Sequence, residues 1–198
     1  MKLNNVKVYD LEESIKASKY PMAINTETCN HEITKTVIAL GNSGNGEGHD
    51  NFLNGIRVAF DLTFSNKGWV ELERYHFFDF VSSQSTMHKI TKLDIKKQCN
   101  QYVWDSTIEK LQQKSDEYNN LEDKSSQYAK ELYLEILYNV PSGFELTARM
   151  TTNYRQLKTV YFQRRNHRLP EWREFCSWIE ENLPHFKELC ITKMNDNK

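Results

Sequence analysis

Between Ile56 and Phe64 the chain alternates apolar and polar residues without interruption. Ile56, Val58, Phe60, Leu62 and Phe64 fall on one face, and Arg57, Ala59, Asp61 and Thr63 on the other. Successive side chains of a strand point to opposite faces, so this segment predicts a strand with one buried side. Such a face has to be covered, and most of the remaining chain carries helical patterns that can cover it. Val6–Tyr9 predicts a short N-terminal strand, after which Asp10 caps a helix ending before Pro21. Ile33 to Leu40 predicts a second helix stopped by Gly41, and Ser65 is placed to cap a third running through Arg74. From Asp105 to Tyr138 the chain is charged and poor in glycine and proline, with Ile108, Leu111, Tyr118, Leu121, Tyr128 and Leu132 at helical spacings. This predicts one long helix, or two with a break near Asn119–Asn120, ended by Pro141-Ser142-Gly143. Phe144 to Met150 predicts a strand, Asn153 to Arg164 a helix, and Pro170 opens a last helix striped by Trp172, Phe175, Cys176 and Ile179. Helices and strands mix without regular βαβ alternation, which implies an α+β fold. The length suits a single domain over residues 1–198.

Composition narrows the functions. A formal net charge of -1 gives no broad field for nucleic acid or an anionic membrane, so any phosphate must be held by local arginines. No run approaches the roughly 18 apolar residues of a membrane span, and MKLNNVKVYDLEESIK has no apolar core of a secretion signal. A cytoplasmic protein is expected. Cys29, Cys99, Cys176 and Cys190 form no CxxC pair, and no metal site is expected although Cys29 and His31 are close. GxSxG and comparable hydrolase contexts are lacking. GNSGNGEGH, with glycines at 41, 44, 46 and 48, lacks the Lys-Ser/Thr ending of a P-loop and reads as a loop.

The densest chemistry lies in TTNYRQLKTVYFQRRNHR, which holds Arg155, Lys158, Arg164, Arg165 and Arg168. Asn153 and Arg164 are eleven residues apart, and at 100° per residue they fall within about 20° of one helical direction. An amide and a guanidinium on one groove suit a planar anionic ligand, because arginine offers a rigid fork of donors. A basic, solvated helix face accounts for the same residues.

The stretch from Pro141 through Arg164 resembles the C-terminal signature of flavin-dependent thymidylate synthases. Val140-Pro141 stands for the family's Leu-Pro, and Asn153-Tyr154-Arg155 follows at matching distance for its Asn-Ala-Arg helix start. Arg164 stands for the arginine nine residues further on. HRLPEWREF is similar to the next family helix, with Glu171 and Arg173 as matching charges. Gly48-His49 before the Ile56–Phe64 strand resembles the family's Gly-His region. In RYHFFDFVSSQSTMH, His76 and Ser85 match a motif histidine and serine. The departures are substantial. Tyr75 and Phe77 replace the arginines flanking that histidine, Ser83 the glutamate, and Met87-His88 the final Arg-Tyr. A register shifted by one places Arg74 on the first arginine and loses the Ser85 match. The arginine before Leu-Pro falls on Leu137, and a flavin-contacting amide falls on Thr159.

The resemblance implies a thymidylate synthase-like fold, a mixed sheet with flanking helices, working as a homotetramer with sites shared between chains. It implies FAD as cofactor, with NADPH and methylenetetrahydrofolate as co-substrates and dUMP or a related pyrimidine nucleotide as acceptor. His49, His76, Asn153 and Arg155 would hold flavin. Gln84 and Ser85 would face nucleotide phosphate across a subunit interface, and Arg164 would polarise the pyrimidine as the catalytic residue. Arg165, Arg168, Lys89 or Lys92 are the cations able to replace the lost phosphate arginines. Two other readings stand beside the active enzyme. One is a catalytically silent nucleotide binder of that fold, such as a bacteriophage could use to sequester nucleotides. The other is an interaction protein working through its charged Asp105–Tyr138 segment.

Overall fold

The computed structural model describes residues 1–44 and 46–192. A four-stranded sheet in the order β1-β2-β4-β3 carries the fold. Its strands are β1 (Lys2–Tyr9), β2 (Arg57–Ser65), β3 (Asp79–Ser83) and β4 (Glu145–Asn153). Every pairing is antiparallel, so the expected mixed sheet is antiparallel throughout. The reason is that β2 and β4 run against each other in full register, from Arg57 opposite Asn153 to Ser65 opposite Glu145. The alternation in β2 is realised. Val58, Phe60, Leu62 and Phe64 are buried and face the interior with Ala148 and Met150 of β4. Fully burying each large apolar side chain is worth about 1.5–3 kcal/mol. The opposite face is polar, with Thr63 hydrogen-bonded to Thr147 at 2.8 Å and Arg149 paired with Asp61 at 3.1 Å.

The helices are α1 (Leu11–Ala17), α2 (Lys35–Gly41), α3 (Asn66–Leu72), α4 (Thr86–Lys89), α5 (Ile95–Gln98), α6 (Asp105–Asn119), α7 (Gln127–Tyr138), α8 (Tyr154–Arg164) and α9 (Pro170–Asn182). Two helices grow directly out of strands, and in each case the last strand residue is the cap. Ser65 Oγ accepts from the Gly68 N–H at 3.1 Å, and Asn153 Oδ1 accepts from the Gln156 N–H at 2.9 Å. The capped helices therefore start at a fixed place on the sheet. Leu157 and Val160 of α8 and Trp172, Phe175 and Ile179 of α9 cover the apolar face in one cluster.

The charged segment is two helices, broken after Asn119. The Lys124 ammonium closes the break by donating to the carbonyls of Tyr118, Asn119 and Leu121. These helices are not free-standing. Leu111, Leu132 and Ile136 form a second cluster with Ile90, Ile95 and Phe144, so the segment is part of the packed structure. Strand β3 has no counterpart among the sequence expectations. All five of its residues are exposed, and only one side is paired, which leaves no buried-face pattern to read. No described helix is long and apolar enough to cross a membrane.

Candidate functional site

The junction of β4 and α8 brings four polar side chains to one cleft. Asn153, Arg155, Gln156 and Thr159 line it with Asn54, Gly46 and Phe77, around a volume of about 280 Å³. Asn153 is buried and spends its carbonyl oxygen on the α8 cap, so its amide N–H groups are what it can offer a ligand. Arg155 is tethered through Nε, which lies 3.0 Å from Asp50 Oδ1. Its terminal nitrogens make no hydrogen bond among the described residues and remain for the cleft.

Asp50 is itself buried, 2% exposed, and its other oxygen lies 3.0 Å from the Lys158 ammonium. Lys158 also donates to the carbonyls of Gly41 and Ser43, both at 2.8 Å. A buried lysine thus ties α8 to the glycine-rich loop that borders the cleft. Gly46 and Gly48 take positive φ in that loop, which a side chain would oppose. The Asp50–Arg155 contact is ionic more than directional. Asp50 Oδ1 lacks an aligned hydrogen bond, as does the buried Ser43 Oγ.

Arg164, further along α8, is elsewhere. It is 6% exposed and lies in an internal cluster. Its Nε donates to Tyr75 Oη at 2.8 Å and its NH1 to Glu71 Oε2 at 2.7 Å. The guanidinium lies over the rings of Trp172 and Tyr75, 5.0 and 5.5 Å from their centres. Arg164 and Asn153 share a helical direction, but eleven residues of helix separate them by about 16 Å. His167 completes the cluster, with Nε2 3.2 Å from Glu71 Oε2. The Leu169 N–H donates to His167 Nδ1, and Arg164 NH1 lies 2.7 Å from His167 Nε2.

Burial holds the His167 pKa below its usual 6.5, and the charge of Arg164 adds to the effect while Glu71 opposes it. The unfolded chain therefore binds the proton more readily, and stability rises with pH across this window. The contribution is complete above about pH 6.5 and is lost as pH falls through the lower folded value. Urea midpoints measured at pH steps from neutral to acidic should fall with a steeper slope in the wild type than in His167→Gln. Equal slopes would remove His167 from the acid response.

The remaining expected residues lie apart. His49 is exposed and lines a different cavity of about 1140 Å³, with Cys29, Met22, Val37, Leu40 and Phe52. His76 is exposed on the turn before β3, beside Phe77 of the cleft. Gln84 and Ser85 follow β3. The Gln84 N–H donates to the Thr147 carbonyl, and its side-chain oxygen accepts from the Thr147 N–H, both at 2.9 Å. Thr147 is six residues from Asn153 on β4, which puts Gln84 about 20 Å along the sheet from the cleft.

Comparison with known proteins gives its answer through structure alone. No protein-family model and no curated protein matches the sequence. Two solved structures of the flavin-dependent thymidylate synthase ThyX from Helicobacter pylori, with FAD and dUMP, superpose with TM-scores of 0.70 and 0.71. Each is 13% identical, covering 96% of this chain and 98% of that one. The chain has the flavin-dependent thymidylate synthase fold. A UMP/dUMP methylase, PolB from Streptomyces cacaoi, bound with 5-Br dUMP, is similar at a TM-score of 0.54 and 13% identity, over 90% of this chain and 89% of that one.

Within this fold, Glu171 is structural. Its carboxylate is buried and accepts from Ser65 Oγ at 2.7 Å, fixing the start of α3. Asp50 and Glu71 had no place among the sequence expectations, and Lys158 and Phe77 were named there without these roles. For Lys158 a signal existed: it lies among Tyr154, Leu157 and Tyr161 on the apolar stripe of α8, where a lysine must find a buried partner. Glu71 and Asp50 carry no such local sign.

Proposed function

We propose that the chain is a flavin-dependent thymidylate synthase-like enzyme, one domain acting in the cytoplasm on dUMP or a related pyrimidine nucleotide. The one-carbon donor is methylenetetrahydrofolate and the reductant NADPH. The observation that carries this reading is the cleft at the β4–α8 junction. There the Asn153 amide, the free fork of Arg155, Gln156 and Thr159 converge in a fold whose solved examples hold FAD and dUMP. The donor set fits the edge of a flavin ring, which presents carbonyl oxygens and ring nitrogens. Bound flavin would supply the carbon relay and hydride chemistry. The protein's part is orientation: Asp50 fixes Nε of Arg155, and the α8 cap fixes Asn153. At about 280 Å³ the cleft is below the usual range of about 300–1,000 Å³ for a ligand site. On this reading one chain holds only part of the ligand set, and the exposed His49, His76 and Gln84 with the half-buried Ser85 would serve sites shared between the copies of a homotetramer.

A second reading, the silent nucleotide binder, is favoured by one observation. Arg164, the residue that would polarise the pyrimidine, is satisfied inside the chain by Glu71 and Tyr75. Loading with FAD, desalting and titrating dUMP separates the two. A retained visible flavin band that shifts with dUMP supports the enzyme. A flavin-free protein that still binds dUMP supports the silent binder, and a protein that binds neither ends both.

A further inference from the structure

The turn between α3 and β3 contains a residue that the core does not explain. Phe77 is 68% exposed and sits at φ 61, in the left-handed region. Bulky side chains occupy that region only where the surroundings hold them there, and such residues gather at ligand sites. Here the hold is visible. Tyr75 and Phe78 on either side are buried, the first with its hydroxyl donating to Gln163 at 2.9 Å, the second packed edge-on to Phe60. The buried Thr152 donates its hydroxyl to the Phe77 carbonyl at 2.8 Å. Thr152 precedes Asn153 on β4, so one strand end positions both the exposed ring and the amide across the same cleft.

Resting on the flavin reading, we propose that Phe77 is the aromatic platform of this cleft, stacking on the face of the ligand ring while Asn153 and Arg155 bind its edge. Among the described residues, every other side chain at the cleft offers a polar group, and Phe77 offers an aromatic ring face. A charged group would be expected there from the flanking-arginine pattern, and this chain presents a ring instead. Recognition therefore shifts from charge toward planarity. The ligand class is a planar heteroaromatic ring system with edge acceptors, whether or not it carries phosphate.

Titrating FAD and riboflavin into the wild type, Phe77→Ala, Phe77→Leu and Phe77→Tyr, and following flavin absorbance and fluorescence, tests this. A stacked tyrosine quenches flavin emission by electron transfer, which phenylalanine does not, and Phe77 is exposed enough for each variant to fold, which thermal melting confirms. The expected result is binding of both flavins by the wild type and by Phe77→Tyr, with emission quenched further in Phe77→Tyr. Phe77→Ala should weaken both by about 10- to 100-fold, the range for loss of one stacked ring. Phe77→Leu should weaken both by less than Phe77→Ala. Wild-type affinity in Phe77→Ala, or no added quenching in Phe77→Tyr, would overturn the platform and leave the flavin reading standing. A folded wild type that binds neither flavin would overturn the flavin reading and this proposal together.

Discussion

Replacing Lys158 by methionine is expected to cost about 3–5 kcal/mol of folding stability, although methionine nearly matches the buried volume. The lysine is 4% exposed and its ammonium has three partners: the Asp50 carboxylate and the carbonyls of Gly41 and Ser43. Methionine offers none of these a proton. It leaves two carbonyls without their donor and a buried carboxylate balanced only by Arg155. Urea unfolding of the single variant would read the loss. Lys158→Met combined with Asp50→Asn should recover part of it, because the uncompensated charge is then gone. The single variant should also weaken flavin binding, since the glycine-rich loop loses its tie to α8. A stability change below about 1 kcal/mol would mean that this pair is not held as the structure shows it.

Arg164→Ala is expected to destabilise the protein by about 2–4 kcal/mol, a figure reduced from the fully buried case because Glu71 keeps some solvent contact. The arginine joins α3, α8 and the start of α9 through Glu71, Tyr75 and Trp172. Its removal takes the shortest cation contact from the Glu71 carboxylate, leaving it Lys67 and His167, and opens a gap beside the rings of Tyr75 and Trp172. Arg164→Lys should rescue little, because an ammonium cannot reach Tyr75 and Glu71 at once or lay a planar face on the rings. The measurement is the urea midpoint beside dUMP binding. Lost stability identifies Arg164 as a strut between helices. Unchanged stability with dUMP binding abolished would return it to the role of a pyrimidine contact and contradict the geometry of the cluster.

The α+β class, the central strand and the helix starts were legible in the sequence because their causes are local. Alternation from Ile56 to Phe64 marks a half-buried strand wherever it occurs. Ser65, Asn153 and Pro170 begin helices through bonds, or a missing N–H, within a few residues of themselves. The spacing of Asn153, Arg155 and Arg164 likewise pointed to α8 as the element with chemistry. Only the tertiary structure decided which of those residues face a ligand. Arg164 is closed by a carboxylate 93 positions away and Lys158 by one 108 positions away, and nothing near either residue names its partner. Strand β3 is set by its pairing with β4, since an exposed edge has no burial pattern of its own. Propensity and periodicity are carried by neighbours in the chain, whereas a charge takes whatever counter-charge packing brings to it. The local frame was therefore readable from residue order, and the allocation of its arginines was not.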